Sequence, residues 1–256
     1  MLFDFRHLTL ELDGKIARIT LNRPALLNAM HHEAVCELEA AAKIVDEDSD
    51  TRIVALTGAG RAFSTGIDLK DLAAGKIDMT YHEPWERALR RFETMEKIVL
   101  CAIHGYALGG GLQLALACDI RVSTASARLG LPAINEGLIP GLATFRLARY
   151  IGLGRAKQMI LSGDSITGEQ ALNIGLIDHL VSEQHMAEEV EQLIGKYLQS
   201  NNEGTQFSKR MLIGCFDLDF DRFCARYMDL QSKAMTSDDF HEAMAAYREK
   251  RTPEWK

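Results

Sequence analysis

The chain has 256 residues, of which 47% are hydrophobic and 25% are charged, and it carries a formal net charge of −7 at neutral pH. This length and apolar content suit one large globular domain, or one domain with an appendage. The negative charge argues against general binding to nucleic acid, because such binding depends on clustered Lys and Arg side chains.

The cysteines and the first residues of the chain indicate the cellular compartment. The five cysteines include no CxxC pair and mostly stand in apolar runs, which favours buried reduced thiols over a disulfide framework or a metal site. The opening segment MLFDFRHLTLELDGK contains acidic residues where a signal peptide needs a basic start, and no apolar run reaches the ~18 residues of a membrane span. We therefore expect a cytoplasmic protein with no metal and no membrane segment.

The first half of the chain predicts strands that alternate with helices. Residues 8–21 alternate apolar and polar side chains around Asp13-Gly14, which is typical of a β-hairpin. The further predicted elements are a helix over 29–46, strands over 52–57 and 98–104, a helix over 109–119 that is apolar nearly all round, and a strand over 120–123. This order is typical of parallel βαβ units.

Beyond Tyr150 the pattern is helical. The predicted helices cover 156–162, 168–173, 185–200, 205–212, 220–233 and 237–250. Mixed strands and helices followed by helices alone predict a core over 1–195 and a helical C-terminal module over 196–256. The polar segment 70–86 is the best candidate for a mobile lid over a site.

Two segments of small residues each follow a predicted strand: AFSTGIDL at 62–69 and GYALGGGLQLALACD at 105–119. The first N–H groups of a helix have no intrahelical partner, and the helix dipole favours negative charge there. Taken singly, such glycines are also explained by the close packing of a helix on a strand. Two converging helix starts would instead form an anion site from backbone alone.

Together these segments resemble the two signatures of the crotonase (enoyl-CoA hydratase/isomerase) superfamily. The resemblance extends to LNRPALLNAM at 21–30, LIPG at 138–141, SGDSITGEQALNIGLID at 162–178 and TSDDFHEAMAAYREKR at 236–251. It implies an α/β fold, namely a crotonase (ClpP-like) spiral of βαβ units with a helical C-terminal trimerisation module, assembled as a trimer or a dimer of trimers. It also implies an acyl-CoA substrate, with coenzyme A as part of the substrate and no separate cofactor.

By this resemblance, the backbone N–H groups of Ile67 and Gly110 form an oxyanion hole for the thioester oxygen. A thioester that gains enolate character concentrates charge on that oxygen, so fixed donors stabilise the transition state more than the ground state. The coenzyme A half of the substrate is expected along the same edge. The residues that match its contacts in relatives are Arg23, Leu26, Thr65, Leu69, Lys70 and Lys250.

The chain departs from the family at the two glutamates that hold the attacking water in hydratases. Gln113 stands at the first position and Ala133 at the second, and neither side chain can accept a proton from water. Tyr81 and Trp85 are expected to line the acyl pocket with them. Glu136, three residues after Ala133, is the nearest carboxylate in sequence and is predicted to replace the missing pair.

Other hypotheses stay open at this point. Asp68, just before the segment 70–86, and Asp71, His82 and Glu83 within it are alternative proton-transfer groups. The chain is expected to be an enoyl-CoA hydratase/isomerase-like enzyme that acts through an enolate. The alternatives are an acyl-CoA decarboxylase or hydrolase, which needs the oxyanion hole without two glutamates, and a non-catalytic protein that binds a CoA thioester. An RNA-binding relative is disfavoured by the acidic charge.

Overall fold

The computed structural model describes residues 1–255. These residues form two compact units, one over Met1–Gln192 and a second that begins at Leu193. Strands alternate with helices in the first unit, and the second unit is helical. Within residues 1–255, every helix is too short or too polar to span a bilayer.

The elements are numbered in chain order. The strands are β1 (Leu2–Asp4), β2 (Leu8–Asp13), β3 (Ile16–Leu21), β4 (Ile53–Gly58), β5 (Ile98–Ile103), β6 (Tyr106–Leu108), β7 (Ile120–Thr124), β8 (Arg128–Gly130), β9 (Ser165–Thr167) and β10 (His179–Val181). The helices are α1 (His32–Glu47), α2 (Leu69–Ala73), α3 (His82–Thr94), α4 (Gly110–Leu116), α5 (Ala143–Ser162), α6 (Gly168–Asn173), α7 (Met186–Leu198), α8 (Asn202–Ile213), α9 (Phe220–Ala234) and α10 (Asp238–Glu249). Single 3-10 turns cover Pro24–Leu26, Met79–Tyr81 and Pro132–Glu136.

A seven-stranded sheet organises the first unit, in the order β1-β2-β3-β4-β5-β7-β10. The strands β1, β2 and β3 are antiparallel, and the pairs from β3 to β10 are parallel. The predicted hairpin is confirmed, because β2 and β3 pair across Gly14, which has φ +56°. A smaller sheet, β6-β8-β9, stands beside the main one and leads into α4.

The core forms where the main sheet packs against α1 and α3. On α1, the fully buried side chains Val35, Leu38, Ala42 and Val45 recur at helical spacing. They join buried sheet residues such as Ile19, and each large apolar side chain buried in this way contributes roughly 1.5–3 kcal/mol. The predicted amphipathic helix is thus confirmed.

The start of that helix differs from the prediction. Helix α1 begins at His32 and not at 29, because His31 is extended (φ −99°, ψ 178°) and caps the helix, and Leu27 and Asn28 before it have φ of +50° and +56°. Positive φ interrupts a right-handed helix. Instead, Met30 pairs with Ile67 in an isolated parallel bridge. The segment before α1 therefore supports the 62–69 segment.

The segment 70–86 is not an irregular loop. Asp68 caps α2 by accepting from the N–H groups of Lys70 and Asp71, and Asp78 caps the next turn. Helix α3 begins inside the segment, at His82. The polar residues that suggested a loop are in part helix caps, which are polar for a local reason.

The cysteines are free thiols, and their burial is only partly as predicted. Cys101 and Cys118 are buried, whereas Cys36, Cys215 and Cys224 are exposed. The three exposed thiols lie on or next to amphipathic helices, where apolar neighbours in sequence do not imply an inward direction.

In the second unit, α8 and α10 begin at side-chain caps. Asn201 accepts from the N–H of Gly204, and Ser237 accepts from the N–H of Phe240. The buried carboxylate of Asp239 accepts from the N–H of Asn202 at 2.8 Å, which ties the start of α10 to the start of α8. Several large apolar side chains of this unit are exposed: Leu212, Phe216, Phe220, Tyr227, Met228, Met235 and Tyr247.

We expect the substitution Asn28→Ala to destabilise the protein. The buried Asn28 amide donates to the carbonyls of Ala59 (2.9 Å) and Ala62 (2.8 Å), and its oxygen accepts from the N–H of Arg23 (2.8 Å). Loss of these bonds in a buried site should lower the free energy of unfolding by about 3 kcal/mol. Urea denaturation measures the change, with the exposed Asn22→Ala as control; equal stability of the two variants would contradict the prediction.

Candidate active site

The two glycine segments lie side by side. The N–H of Ser64 donates to the carbonyl of Tyr106, and the N–H of Leu108 donates to the carbonyl of Ser64. This pairing brings Gly66 against Gly110: a Cβ atom on Gly66 would lie 2.5 Å from the nitrogen of Gly110. Gly66 also has φ +85°, so glycine is required there for two reasons.

Two N–H groups at this contact have no backbone acceptor within residues 1–255, those of Ile67 and Gly110. Gly110 is the first residue of α4, so its N–H has no intrahelical partner. Among the neighbours, Gly66 donates to Ser64 Oγ (3.1 Å), Asp68 to the Met30 carbonyl (3.0 Å) and Gly109 to the Gly130 carbonyl (2.9 Å), whereas the N–H of Gly111, one residue further along α4, also has no backbone acceptor in the described part of the chain. The N–H groups of Ile67 and Gly110 thus have no backbone acceptor among the described residues, and their role as an oxyanion hole stays a prediction.

Aromatic side chains form a wall next to these donors. The indole Cζ2 of Trp85 lies 3.4 Å from the place of a Cβ atom on Gly110, and its Nε1 donates to Gln113 Oε1 at 3.4 Å. Tyr81 stacks on Trp85 with 6.4 Å between ring centroids. The Tyr81 hydroxyl donates to the Met30 carbonyl, and burial raises the pKa of this phenol well above its ordinary value. Tyr81, Trp85 and Gln113 therefore meet beside Gly110.

A carboxylate that sequence reasoning missed lies at the end of this wall. A Cβ atom on Gly141 would lie 2.8 Å from Gln113 Oε1 and 3.6 Å from Glu86 Oε1. The other oxygen of Glu86 accepts from Arg146, 2.8 Å away on α5. Glu86 is half-buried on α3. Its position after Trp85, a residue predicted to line the pocket, was the available signal.

The comparison with known proteins decides the family. The model of the enoyl-CoA hydratase/isomerase family matches residues 11–256. The chain belongs to the enoyl-CoA hydratase/isomerase family. The short-chain-enoyl-CoA hydratase of Clostridium acetobutylicum is 31% identical over 252 residues, which cover 97% of each chain. The 2,3-dehydroadipyl-CoA hydratase of Escherichia coli K12 is 34% identical over 247 residues, 94% of this chain and 95% of that protein.

Solved structures agree with this assignment. The crystal structure of an enoyl-CoA hydratase from Bacillus anthracis superimposes with a TM-score of 0.91 at 30% identity, and the match covers 98% of this chain and 99% of that one. The predicted crotonase fold with a helical C-terminal part is therefore confirmed. The chain is an enzyme of the enoyl-CoA hydratase/isomerase family and has an acyl-CoA activity of that kind.

In this family member, Glu136 lies apart from the wall. It is exposed at the end of the 3-10 turn Pro132–Glu136, and Gly137 with φ +71° follows it. Within residues 1–255 the structure records no hydrogen bond or ion pair for its carboxylate. Ala133, in the first half of the same turn, is half-buried. The exposed position of Glu136 gives no support to the prediction that its carboxylate takes the role of the family glutamates.

The alternative proton-transfer groups are engaged or exposed. Asp71 pairs with Lys76 at 3.1 Å, and Glu83 pairs with Arg87 at 2.6 Å on the surface of α3. His82 is exposed, with its ring edge towards Tyr81. None of these three groups forms a hydrogen bond with Gln113 or Gly110 among residues 1–255.

The residues predicted to bind coenzyme A occupy different environments. Leu26, Leu69 and Lys70 are exposed. Thr65 is half-buried, and both its N–H and its hydroxyl donate to the Leu27 carbonyl, at 3.1 and 3.4 Å. Lys250 belongs to the second unit, where it ends α10 with φ +57°.

Arg23 is held within the fold. Its Nη1 donates to Asp68 Oδ2 at 3.1 Å and to the Ala29 carbonyl. Both side chains of the Arg23–Asp68 pair are largely shielded from solvent, with 14% and 8% exposed. Because Asp68 follows Ile67 directly, this ion pair fixes the backbone that carries one of the two free donors.

One cluster in the described part of the chain consists of residue types that can bind metals. The donor atoms of His7, His31 and Glu33 lie within 4.8 Å of one another. However, His31 Nδ1 accepts from the N–H of Ala34 and so caps α1, which leaves the proton of the neutral ring on Nε2. The cluster is explained as a hydrogen-bonded start of α1.

A cavity of about 730 Å³ lies elsewhere, over the other face of the main sheet and under the start of α7. Its lining includes Thr20, Thr57, Thr124 and the ion pair of Arg18 with Glu191. Neither free donor is among its lining residues. The cavity is therefore separate from the Gly66–Gly110 contact.

We expect Asp68 to stabilise the oxyanion segment in its ionised form. Burial alone raises the pKa of the Asp68 carboxyl, but hydrogen bonds from Asp71 N–H, Arg23 and Lys70 N–H outweigh burial and hold this pKa below its usual value. Asp68→Asn retains the cap and loses the ion pair, so the free energy of unfolding at pH 7 should fall by about 2 kcal/mol. Asp68→Ala also loses the cap and should lose about 1 kcal/mol more.

The pH dependence of the same pair provides the check. The pKa of Asp68 is lower in the folded protein than in the unfolded chain, where it is about 3.9, so the ionised carboxylate stabilises the folded state above that pH. This stabilisation is lost as the pH falls through the pKa of the folded state. Urea denaturation should therefore give a higher free energy of unfolding for wild type than for Asp68→Asn at pH 7, and this difference should narrow below about pH 4. Equal stability at pH 7 would exclude the ion pair as a stabilising contact.

Proposed function

We propose that this enzyme binds an acyl-CoA thioester with its carbonyl oxygen between the N–H groups of Ile67 and Gly110. The observation that carries this proposal is the close contact of Gly66 with Gly110 beside two backbone donors that lack a backbone acceptor. The hydratases named above act on CoA thioesters by their names, which supports the same substrate class here.

The chemistry that such a hole favours is enolate formation. Removal of a proton from the carbon next to the thioester carbonyl moves negative charge onto the carbonyl oxygen, which is the atom that the two N–H groups are proposed to bind. Each preorganised donor of this kind contributes roughly 3 kcal/mol to transition-state stabilisation. Hydration by a pair of glutamates is not the proposed reaction, because Gln113 and Ala133 stand at the two positions that carry them in hydratases of the family.

The coenzyme A half is proposed to lie along Leu26, Thr65, Leu69 and Lys70. The exposed side chains of Leu26 and Leu69 offer apolar contact beside the exposed ammonium group of Lys70, a suitable partner for phosphate. The N–H groups of Arg23 that Asp68 does not occupy are available for a further phosphate contact. Lys250, in the second unit, stays a prediction of the family resemblance.

We also propose a cytoplasmic homotrimer or dimer of trimers. The second unit exposes large apolar side chains, among them Phe216 (69% exposed) and Phe220 (80% exposed). So many large exposed apolar side chains within one unit favour a surface that a partner covers. No nucleic acid or membrane partner is proposed.

The substitution Gly110→Ala tests the oxyanion hole. An added Cβ would lie 3.2 Å from Gly66 Cα and 3.4 Å from Trp85, in the space proposed for the thioester. We expect kcat/KM for the best acyl-CoA substrate to fall by about 10² or more. A larger side chain such as Val would press on Gly66, so Ala is the better test of function.

The control for this test is Gly154→Ala on α5. A Cβ on Gly154 meets no atom within 4 Å, so this variant should keep full activity. Circular dichroism checks that both variants are folded. Unchanged kcat/KM and unchanged acyl-CoA affinity in a folded Gly110→Ala protein would contradict the assignment of the site.

Hydration of crotonyl-CoA should be slow. A proton-transfer group typically contributes about 10²–10⁴ in rate, and Gln113 and Ala133 supply none. The kcat should therefore lie at least about 10²-fold below that of a family member with both glutamates, assayed in parallel. Comparable rates would refute this prediction.

A panel of acyl-CoAs in deuterated water, followed by mass spectrometry, distinguishes the possible reactions. Deuterium at the α carbon would support enolate chemistry, and added water would indicate hydration. Loss of carbon dioxide or release of free coenzyme A would indicate a decarboxylase or a hydrolase. Binding without any change of mass would favour the non-catalytic alternative.

A further inference from the structure

We infer that Glu86 is the catalytic carboxylate of this enzyme and that its Oε1 takes up and returns the proton at the α carbon of the bound thioester. The inference rests on the proposed function, because it requires the thioester to lie against Ile67 and Gly110. It assigns the acid–base role that the family glutamates leave empty in this chain.

The first support is position. Gln113 lies three residues after Gly110 on α4, so the two face the same side of that helix. From Gly110 the wall continues over Trp85 to Gln113 and then to Glu86. A carboxylate oxygen of α3 thus lies next to the side chain that occupies the position of the first family glutamate.

The second support is that one oxygen of the Glu86 carboxylate has no hydrogen-bond partner within the described residues. Glu86 Oε2 accepts from Arg146 Nη1 at 2.8 Å, whereas Oε1 has no hydrogen-bond partner among residues 1–255. Arg146 is only 5% exposed and also binds Glu93 at 2.6 Å. Burial lowers the pKa of the guanidinium, but its bonds to Glu93 and Glu86 outweigh burial, so it remains cationic. Arg146 therefore fixes one oxygen of Glu86 and leaves the other for substrate.

The third support is that nearby carboxylates are used otherwise. Glu93 accepts through Oε1 from Arg146 and through Oε2 from Arg90 and Arg146. Asp68 binds Arg23 and caps α2. Glu136 is exposed. Among these groups, Glu86 alone has one oxygen anchored by an arginine and a second oxygen without a partner, in the described part of the chain, on the side of Gln113 and Gly141.

The proton transfer balances without a further reactant. The Cα–H bond of the acyl group breaks, the proton goes to Glu86 Oε1, and the electron pair forms the enolate, whose oxygen is held by the N–H groups of Ile67 and Gly110. Return of the proton to the α carbon regenerates the thioester. In deuterated water the carboxyl proton exchanges with solvent before it returns, so the α carbon acquires deuterium.

The experiment compares α-deuterium incorporation and acyl-CoA binding in the full-length protein, for wild type, Glu86→Gln, Glu86→Asp and a control. The matched control is Glu39→Gln, because Glu39 is equally half-buried (26% exposed against 25% for Glu86) and also pairs with an arginine, Arg87. The probe is the acyl-CoA that wild type exchanges fastest, and affinity is measured by calorimetry.

We expect Glu86→Gln to lower the exchange rate by about 10²–10⁴ while the Kd for acyl-CoA changes less than about threefold. Glu86→Asp should keep part of the exchange, and Glu39→Gln should exchange at the wild-type rate. A Glu86→Gln protein that exchanges as fast as wild type would overturn the inference. So would a wild type that binds acyl-CoA without exchange.

Failure of the proposed function gives a different result. If wild type binds no acyl-CoA, the oxyanion assignment itself is wrong and the role of Glu86 is rejected with it. If Glu86→Gln alters folding through Arg146, thermal unfolding detects this, and the exchange rate of folded Glu86→Asp decides. A Glu86→Asp protein with the wild-type rate and a wild-type pH profile would also overturn the inference.

Discussion

Gly66 lies so close to Gly110 that one methyl group between them would collide with backbone, and this contact sets the spacing of the two free N–H donors. The contact requires that the segment after β4 and the start of α4 after β6 lie next to each other. The parallel main sheet and the small sheet beside it do this, because both segments emerge from the carboxyl ends of their strands. A donor pair made of backbone is as rigid as the strands that carry it.

The surrounding structure holds this contact from three directions. Asn28, with its left-handed backbone, binds the carbonyls of Ala59 and Ala62 at the start of the first segment. The Arg23–Asp68 pair fixes its end, and Tyr81 binds the Met30 carbonyl beside it. Buried polar groups are costly unless they are satisfied. Here they are satisfied by one another, so the preorganisation of the donors and the stability of the fold depend on the same bonds.

Sequence patterns predicted what is determined locally. The hairpin, the buried strands and the amphipathic α1 follow from periodicity, and the two donors follow from glycine segments that match a family signature. The later start of α1 at His32, the helix inside 70–86 and the exposed cysteines were missed, because caps and tertiary contacts override composition there. Glu86 was missed for a related reason: its approach to Gln113 depends on how α3 packs near Gly141, 55 residues away in sequence.

The neutral amide at 113 also has a consequence for divergence within the family. Gln113 and Glu86 present oxygens to the same point near Gly141. A glutamate at 113 would bring a second carboxylate to that point, and two neighbouring carboxylates do not both ionise freely. Evolution from a catalytic carboxylate at 113, on α4, to one at 86, on α3, would then pass through a protein with both carboxylates, which is unfavourable. Positions 86 and 113 should therefore covary among relatives.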